Sequence, residues 1–303
     1  MSMLFSKEIK LEILNELKNT NNNLQVITAY CKKSAIEFIQ NNITNPIENK
    51  RLMVRFTFDD IVSGASDLDV YEFCKAYGWE MYLRFDMHAK TYIFDKKRCI
   101  IGSANLTSRG LDLRSTSNYE MATLTDIEPN DLQRIDSLFN NAIRMNDEIY
   151  QKMAYCVSDD QLNRPNKRNN WSDDILSLFV PDISVLFTYD FPNCQSPRNL
   201  AIGALDFLSI PDNSSFEDIK VAFRWSKAYI WLCDILKQAP NNQLYFGSMS
   251  EKLHNILVND PRPFRKEVKV LQQYLLNWVV ELGMEHITVD RPNHSQRIVY
   301  VNR

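Results

Sequence analysis

Cysteine and histidine are present in this chain but never at the spacings that hold a metal. Cys31, Cys74, Cys99, Cys156, Cys194 and Cys233 are scattered without a Cys-x-x-Cys pair, and the four histidines are equally dispersed. This argues against a zinc module or a disulfide framework and for reduced thiols. Long apolar runs are missing too: no stretch approaches the ~18 residues of a membrane-spanning helix. The N-terminal MSMLFSKEIKLEIL carries charge within a few residues of its apolar start, unlike the apolar core of a signal peptide. A cytoplasmic protein with no membrane partner is the expectation. Bulk positive charge is absent: the net charge is −3, so the molecule is not a nucleic-acid binder by overall charge. No internal repeat is visible.

What is present is ample core-forming material. The 303 residues are 45% hydrophobic and 24% charged, enough for two domains. Residues 7–18 repeat Ile9, Ile13, Leu14 and Leu17 at helical spacing. Strands are expected over 24–30, 52–58 and 79–84, with helices over 34–40 and 67–77, the latter ended by Gly78. This alternation implies a layered α/β domain. Strands over 88–94, 98–101 and 118–124 follow, then a helix over 130–144. The polar stretch 158–173 is the best linker. Beyond it, aromatic-rich 216–237, 248–257 and 264–282 read as helices, the last stopped by Gly283. MEHITV and RIVYV read as a terminal hairpin. Helices followed by a hairpin match a winged helix-turn-helix in outline.

The chemistry is concentrated in residues 88–105, HAKTYIFDKKRCIIGSAN. His88 and Lys90 stand two apart, so on a strand they project from one face. Asp95 follows after four residues, Gly102-Ser103 after six more, and Asn105 two beyond Ser103. A phosphodiester repels anionic nucleophiles, whereas a neutral imidazole attacks near neutral pH. Lys90 can neutralise a non-bridging oxygen. Ser103 and Asn105 can donate hydrogen bonds that strengthen as charge builds. Gly102 permits close backbone approach.

The pattern HxK-x4-D-x6-GSxN resembles the signature of the phospholipase D superfamily, and Asn118-Tyr119-Glu120 resembles the N-x-E strand of its DNA-cleaving members. The resemblance is sharp over 85–122, extends as fold to about 1–155, and does not cover the C-terminal part. It implies a covalent phosphohistidine on His88 and a carboxylate, Glu120, behind the imidazole. Asp95 is read as anchoring the loop that leads to Gly102, with a direct catalytic contact as the alternative. The family reaction also uses a second histidine as general acid. His254, His286 and His294 are not followed by the required lysine, so the resemblance implies a homodimer with a composite site. No cofactor and no metal are expected, since clustered carboxylates for two-metal chemistry are missing.

The fold class expected is therefore α/β: a phospholipase D-like mixed-sheet domain over 1–157, a connecting segment over 158–214, and a winged-helix-like α+β module over 215–303. That module holds 12 Lys/Arg against 9 Asp/Glu, or +3, leaving −6 for the rest. Arg262, Arg265, Lys266 and Lys269 open its third helix. Arg265, Lys266 and Lys269 are candidate contacts to a nucleic-acid backbone, and a solvated face is the plain alternative. Arg55, Arg84 and Arg109 read by default as solvated surface charges, with a groove-lining role as the alternative. The aromatic row of 216–237 reads as core. The resulting expectation is a nuclease acting on DNA, similar to metal-independent bacterial restriction and antiviral defence nucleases. A phospholipase or phosphatidyltransferase is the enzyme alternative. The other is a partner-dependent subunit whose C-terminal module docks a motor or defence-complex protein.

Overall fold

The computed structural model describes residues 2–163, 171–179, 181, 183–258 and 265–301. The chain forms two compact units, Met1–Phe179 and Val180–Arg303. The first contains β1 (Ser2–Phe5), α1 (Lys7–Asn19), β2 (Asn23–Thr28), α2 (Lys33–Asn41), β3 (Asn49–Val54), α3 (Phe58–Val62), α4 (Val70–Ala76) and β4 (Trp79–Leu83). It continues with β5 (Thr91–Phe94), β6 (Arg98–Gly102), β7 (Met121–Asp126), α5 (Pro129–Asn140), β8 (Ile143–Arg144), α6 (Asp147–Asn163) and α7 (Asp173–Leu176).

These strands make one mixed sheet in the order β1-β7-β6-β5-β2-β3-β4-β8. β2, β3 and β4 are parallel, joined through helices, while β5, β6 and β7 return antiparallel. Alternation sends Ile27, Met53, Ile93 and Cys99 to one face, where they bury Phe139 of α5. Val26, Leu52, Tyr92 and Ile100 point the other way and are also buried. Both faces are thus covered in the middle of the sheet, which explains why these strands read as continuous apolar runs. In α1 the expected stripe is buried: Ile9, Ile13 and Leu17 are fully enclosed.

Several expectations shift. The strand expected from His88 begins at Thr91, so His88 and Lys90 precede the ladder. The helix expected over 67–77 starts at Val70, after a separate five-residue α3 capped by a Thr57–Asp60 box. One turn is too short to show periodicity. Edge strand β1 was not anticipated. It pairs with β7 in the register Phe5↔Met121 and Met3↔Thr123. The unit boundary falls inside the segment expected to connect the domains. Trp171 donates from Nε1 to the Phe56 carbonyl (2.8 Å) and meets Phe58 edge-on, and Ile175 is fully buried, so residues 171–179 belong to the first unit.

The second unit contains α8 (Phe216–Arg224), α9 (Lys227–Lys237), β9 (Gln243–Tyr245), α10 (Phe246–Ile256), α11 (Arg265–Glu281), β10 (Ile287–Asp290) and β11 (Arg297–Tyr300). The single helix expected over 216–237 is two. Ser226 interrupts it, accepting from the Tyr229 N–H and donating to the Phe223 carbonyl. Phe223, Tyr229 and Trp231 lie in the core, as the aromatic row suggested, and Leu186, Phe191 and Leu205 of the expected connecting segment join them. β9, β10 and β11 form a sheet in the order β10-β11-β9. Among the described residues no helix is long and apolar enough to cross a membrane.

Candidate active site

The carboxyl ends of parallel strands leave unpaired backbone and are where α/β sheets gather ligands. In the first unit five segments meet at that edge: the ends of β2 and β3, the lead-in to β5, the exit of β6 and the lead-in to β7. They carry Tyr30, Arg55, His88 with Lys90, Ser103 with Asn105, and Asn118 with Glu120.

Asn105 is pinned by β2. Its Oδ1 accepts from the Tyr30 backbone N–H (3.1 Å) and lies 3.2 Å from the Thr28 hydroxyl, whose one proton it shares with the closer Tyr30 carbonyl (2.9 Å). The Thr28 Oγ1 in turn accepts from the Leu106 N–H (3.1 Å). With the oxygen turned toward β2, the Asn105 amide N–H groups are left without a partner among the described residues. Gly110 supports this loop, because a Cβ there would sit 2.4 Å from the Asn105 carbonyl. Gly102 meets the expected need for close approach: a Cβ would lie 2.4 Å from the Met121 carbonyl and 2.5 Å from the Ala122 Cβ.

His88 is exposed, and its imidazole makes no hydrogen bond among the described residues. Lys90 is half-buried and donates from Nζ to the His88 carbonyl (2.6 Å), which ties the two motif residues together. Burial holds its ammonium below the ordinary lysine range, the Arg55 charge acts in the same direction, and Glu120 opposes both.

Glu120 is buried and engages Ser103 and Asn118. Its carboxylate accepts a very short bond from the Ser103 hydroxyl and a 3.1 Å bond from Asn118 Nδ2. The Ser103 proton expected to serve a phosphate oxygen is therefore committed to Glu120. No Glu120–His88 hydrogen bond forms among the described residues. Ser6, with a left-handed backbone, brackets the Glu120 backbone through its N–H and Oγ.

Asp95 lies elsewhere. It sits at the opposite end of β5 from Lys90, about 17 Å away at ~3.4 Å per strand residue. Its carboxylate accepts the backbone N–H groups of Asn21, Asn22 and Asn23 at 2.8 to 3.0 Å. Burial would raise its pKa, but these donors outweigh it and hold the carboxyl below the ordinary range. Asp95 thus ties the β5–β6 turn, which leads on to Gly102, to the start of β2 and away from Lys90. The spacing in the motif reflects the length of the β5–β6 return.

The reading of Arg55 and Arg84 as solvated surface charges is also corrected. Arg84 is buried, bidentate to Asp86 and stacked on Phe179. Arg55 is bidentate to the buried Asp60 and touches Tyr30. Arg109 is exposed. In the second unit Lys266 and Lys269 are exposed on the first turns of α11, whereas Arg262 and the Arg265 side chain lie outside the described residues. Among the described residues no three His, Cys, Asp or Glu side chains converge as a metal-holding group.

The family model described as "Cardiolipin synthase, PLD-like domain" matches residues 3–143, the part of the chain that builds this edge. This domain belongs to the phospholipase D superfamily. Similar solved structures include the phospholipase D family member Nuc from Salmonella typhimurium, at 11% identity and a TM-score of 0.38 over 48% of this chain and 97% of that one. NucT from Helicobacter pylori shows 12% identity and a TM-score of 0.35 over 48% and 98%. A phosphatidylserine synthase from Haemophilus influenzae shows 16% identity and a TM-score of 0.38 over 84% and 71%. No curated protein matches the chain by sequence.

Tyr30, Thr28 and Asp60 were not singled out from the sequence. Only their places at or just past apolar strand runs offered a signal. The Asp95 anchor gives a direct stability test. Asp95→Ala is expected to cost about 1–2 kcal/mol near pH 7, as for a lost carboxylate cap on backbone N–H groups. A folded carboxyl held low contributes stability above the unfolded pKa of ~3.9 and loses it as pH falls through the lower folded value. Urea midpoints of wild type and variant should therefore differ fully at about pH 7 and converge toward about pH 2. A gap independent of pH would contradict the anchor.

Proposed function

We propose that this phospholipase D-superfamily phosphodiesterase is an endonuclease that cleaves DNA through a phosphohistidine at His88, without a metal. The observation that carries this reading is the convergence of an unbonded imidazole, the Lys90 ammonium and the freed Asn105 amide at one sheet edge. In the first step the imidazole nitrogen bonds to phosphorus and the bond to the leaving oxygen breaks, a proton being delivered to that oxygen. In the second step water bonds to phosphorus, the P–N bond breaks, and the water's proton is taken up. Lys90 and Asn105 stabilise the non-bridging oxygens throughout. Glu120 holds Ser103 and Asn118 around the site, and the resemblance gives it the further role of orienting the imidazole. Activity is expected to persist in EDTA and His88→Ala to abolish turnover without unfolding. Loss in EDTA with recovery in magnesium would contradict the mechanism.

The proton donor is the same histidine of a second copy, in a homodimer. An apolar face beside the site supports this. Met3, Phe5, Ile101, Tyr119 and Met121 are exposed. The pairings Phe5↔Met121, Met3↔Thr123 and Ile101↔Thr123 put the four strand residues on one face of β1, β7 and β6, and Tyr119 packs beside Phe5. Such a patch marks an interaction surface, and a two-fold axis through it meets the self-complementarity that a closed dimer requires. Replacing Met3 and Ile101 together by lysine should give a monomer by light scattering with little turnover. A fully active monomer would contradict the composite site.

The second unit supplies DNA affinity and is winged-helix-like. Its order of helix, strand, helix, helix and hairpin, with β9 on the outer side of β11, supports that reading, as do exposed Lys266 and Lys269 on α11. Restriction or anti-phage defence is the biological setting that the resemblance suggests. Replacing Arg265, Lys266 and Lys269 together should weaken DNA binding and flatten its salt dependence by up to about 3 in slope, with turnover at saturation little changed. Unchanged DNA binding would favour a protein-docking role for this unit.

A further inference from the structure

Arg55 is gripped on one edge and open on the other. Nε and Nη2 donate to the two Asp60 oxygens at 2.8 and 2.5 Å, and Nη2 also donates to the Tyr30 hydroxyl at 3.1 Å. The guanidinium carbon lies 5.0 Å from the Tyr30 ring centroid. Asp60 is itself fixed, accepting from the Thr57 N–H and closing the cap of α3. The guanidinium plane is thus set by two side chains through three hydrogen bonds, while Nη1 has no partner among the described residues. The side chain keeps 21% of its surface exposed.

Arg84 sharpens the point, because it stands beside Arg55 at the next strand end and is also held through Nε and Nη2, by Asp86. Its side chain is only 9% exposed and lies under Phe179. Both are arginines gripped by a carboxylate, but only the half-exposed Arg55 can present its unpartnered Nη1 to solvent. That nitrogen carries two N–H donors in a plane already fixed by the other contacts, on a cation that stays charged, which suits a phosphate oxygen.

Position gives that edge its meaning. The ladder pairs Ile27 with Thr91 and Thr28 with Val54, so Arg55 lies two strands from Lys90 and one residue further out. Two strand spacings are about 10 Å. Tyr30 links the two places, since its ring and hydroxyl hold Arg55 while its backbone N–H holds Asn105.

We propose that Arg55 binds a second phosphate of the substrate, flanking the phosphodiester cut at His88, and thereby makes the site selective for a polynucleotide over a lone diester. The inference rests on the nuclease reading. Asp60 faces the opposite edge of the guanidinium, so the incoming phosphate does not replace it.

The test compares bis(p-nitrophenyl) phosphate, which has no second phosphate, with a single-stranded 12-mer, in wild type and Arg55→Met. The variant should lose about 30-fold in kcat/KM on the 12-mer, mainly through KM, equivalent to one charged hydrogen-bonded contact. On the small diester it should change less than about threefold. Equal losses on both substrates, or no loss on the 12-mer, would overturn the proposal. Wild type that cleaves the small diester and no polynucleotide would overturn the nuclease reading and this inference with it. Should Arg55→Met fail to fold, the wild-type protein decides. A scan replacing single phosphates of the 12-mer by neutral methylphosphonate should raise KM sharply at one flanking position, and a flat scan would overturn the proposal.

Discussion

The Asn105 carboxamide oxygen, held by the Tyr30 N–H beside the Thr28 hydroxyl, is the joint on which the site depends. It binds the loop leaving an antiparallel strand to the end of a parallel one. Leu106 adds two further ties, its N–H to the Thr28 hydroxyl and its carbonyl to the Lys32 N–H, but only the Asn105 oxygen fixes the direction of the Asn105 donors. One side of an amide is spent on structure so that the other is available for chemistry. The same economy recurs in Arg55 and differs in Ser103, whose only proton goes to Glu120.

The electrostatics of the edge follow from pairing. Among the described residues no carboxylate is bonded to Lys90, and burial together with Arg55 makes its charge harder to hold than an ordinary lysine's. An anion arriving at Lys90 would offset that cost, whereas the Arg55 charge is already stabilised by Asp60. Asp60 and Asp86 neutralise the neighbouring arginines from behind, which keeps the edge from repelling itself while leaving the Arg55 fork in place. Preorganised donors of this kind need no rearrangement as charge develops on phosphorus.

Much of this was legible in the sequence where covalent spacing alone fixes geometry. His88, Lys90, Ser103 and Asn105 flank a single two-stranded return, so their proximity follows from the chain itself. The α1 stripe and the aromatic core of the second unit followed from periodicity. Tyr30, Arg55 and Asp60 were different. They meet the motif only through the antiparallel register of β5 on β2 and the parallel register of β2 on β3, and nothing local encodes either. Asp95 belongs to the pattern by spacing alone, because the pattern spans both ends of a strand. The break at Ser226 was hidden because a serine cap inside an apolar run leaves the helical period almost intact.

The central claim is a double displacement at phosphorus through His88. The most direct measurement is the stereochemical course with a substrate that carries a chiral phosphorothioate at the cut position, cleaved in isotopically labelled water. Each displacement inverts phosphorus, so two in succession should give net retention of configuration. Net inversion would mean that water attacks the diester directly, and would contradict the covalent intermediate.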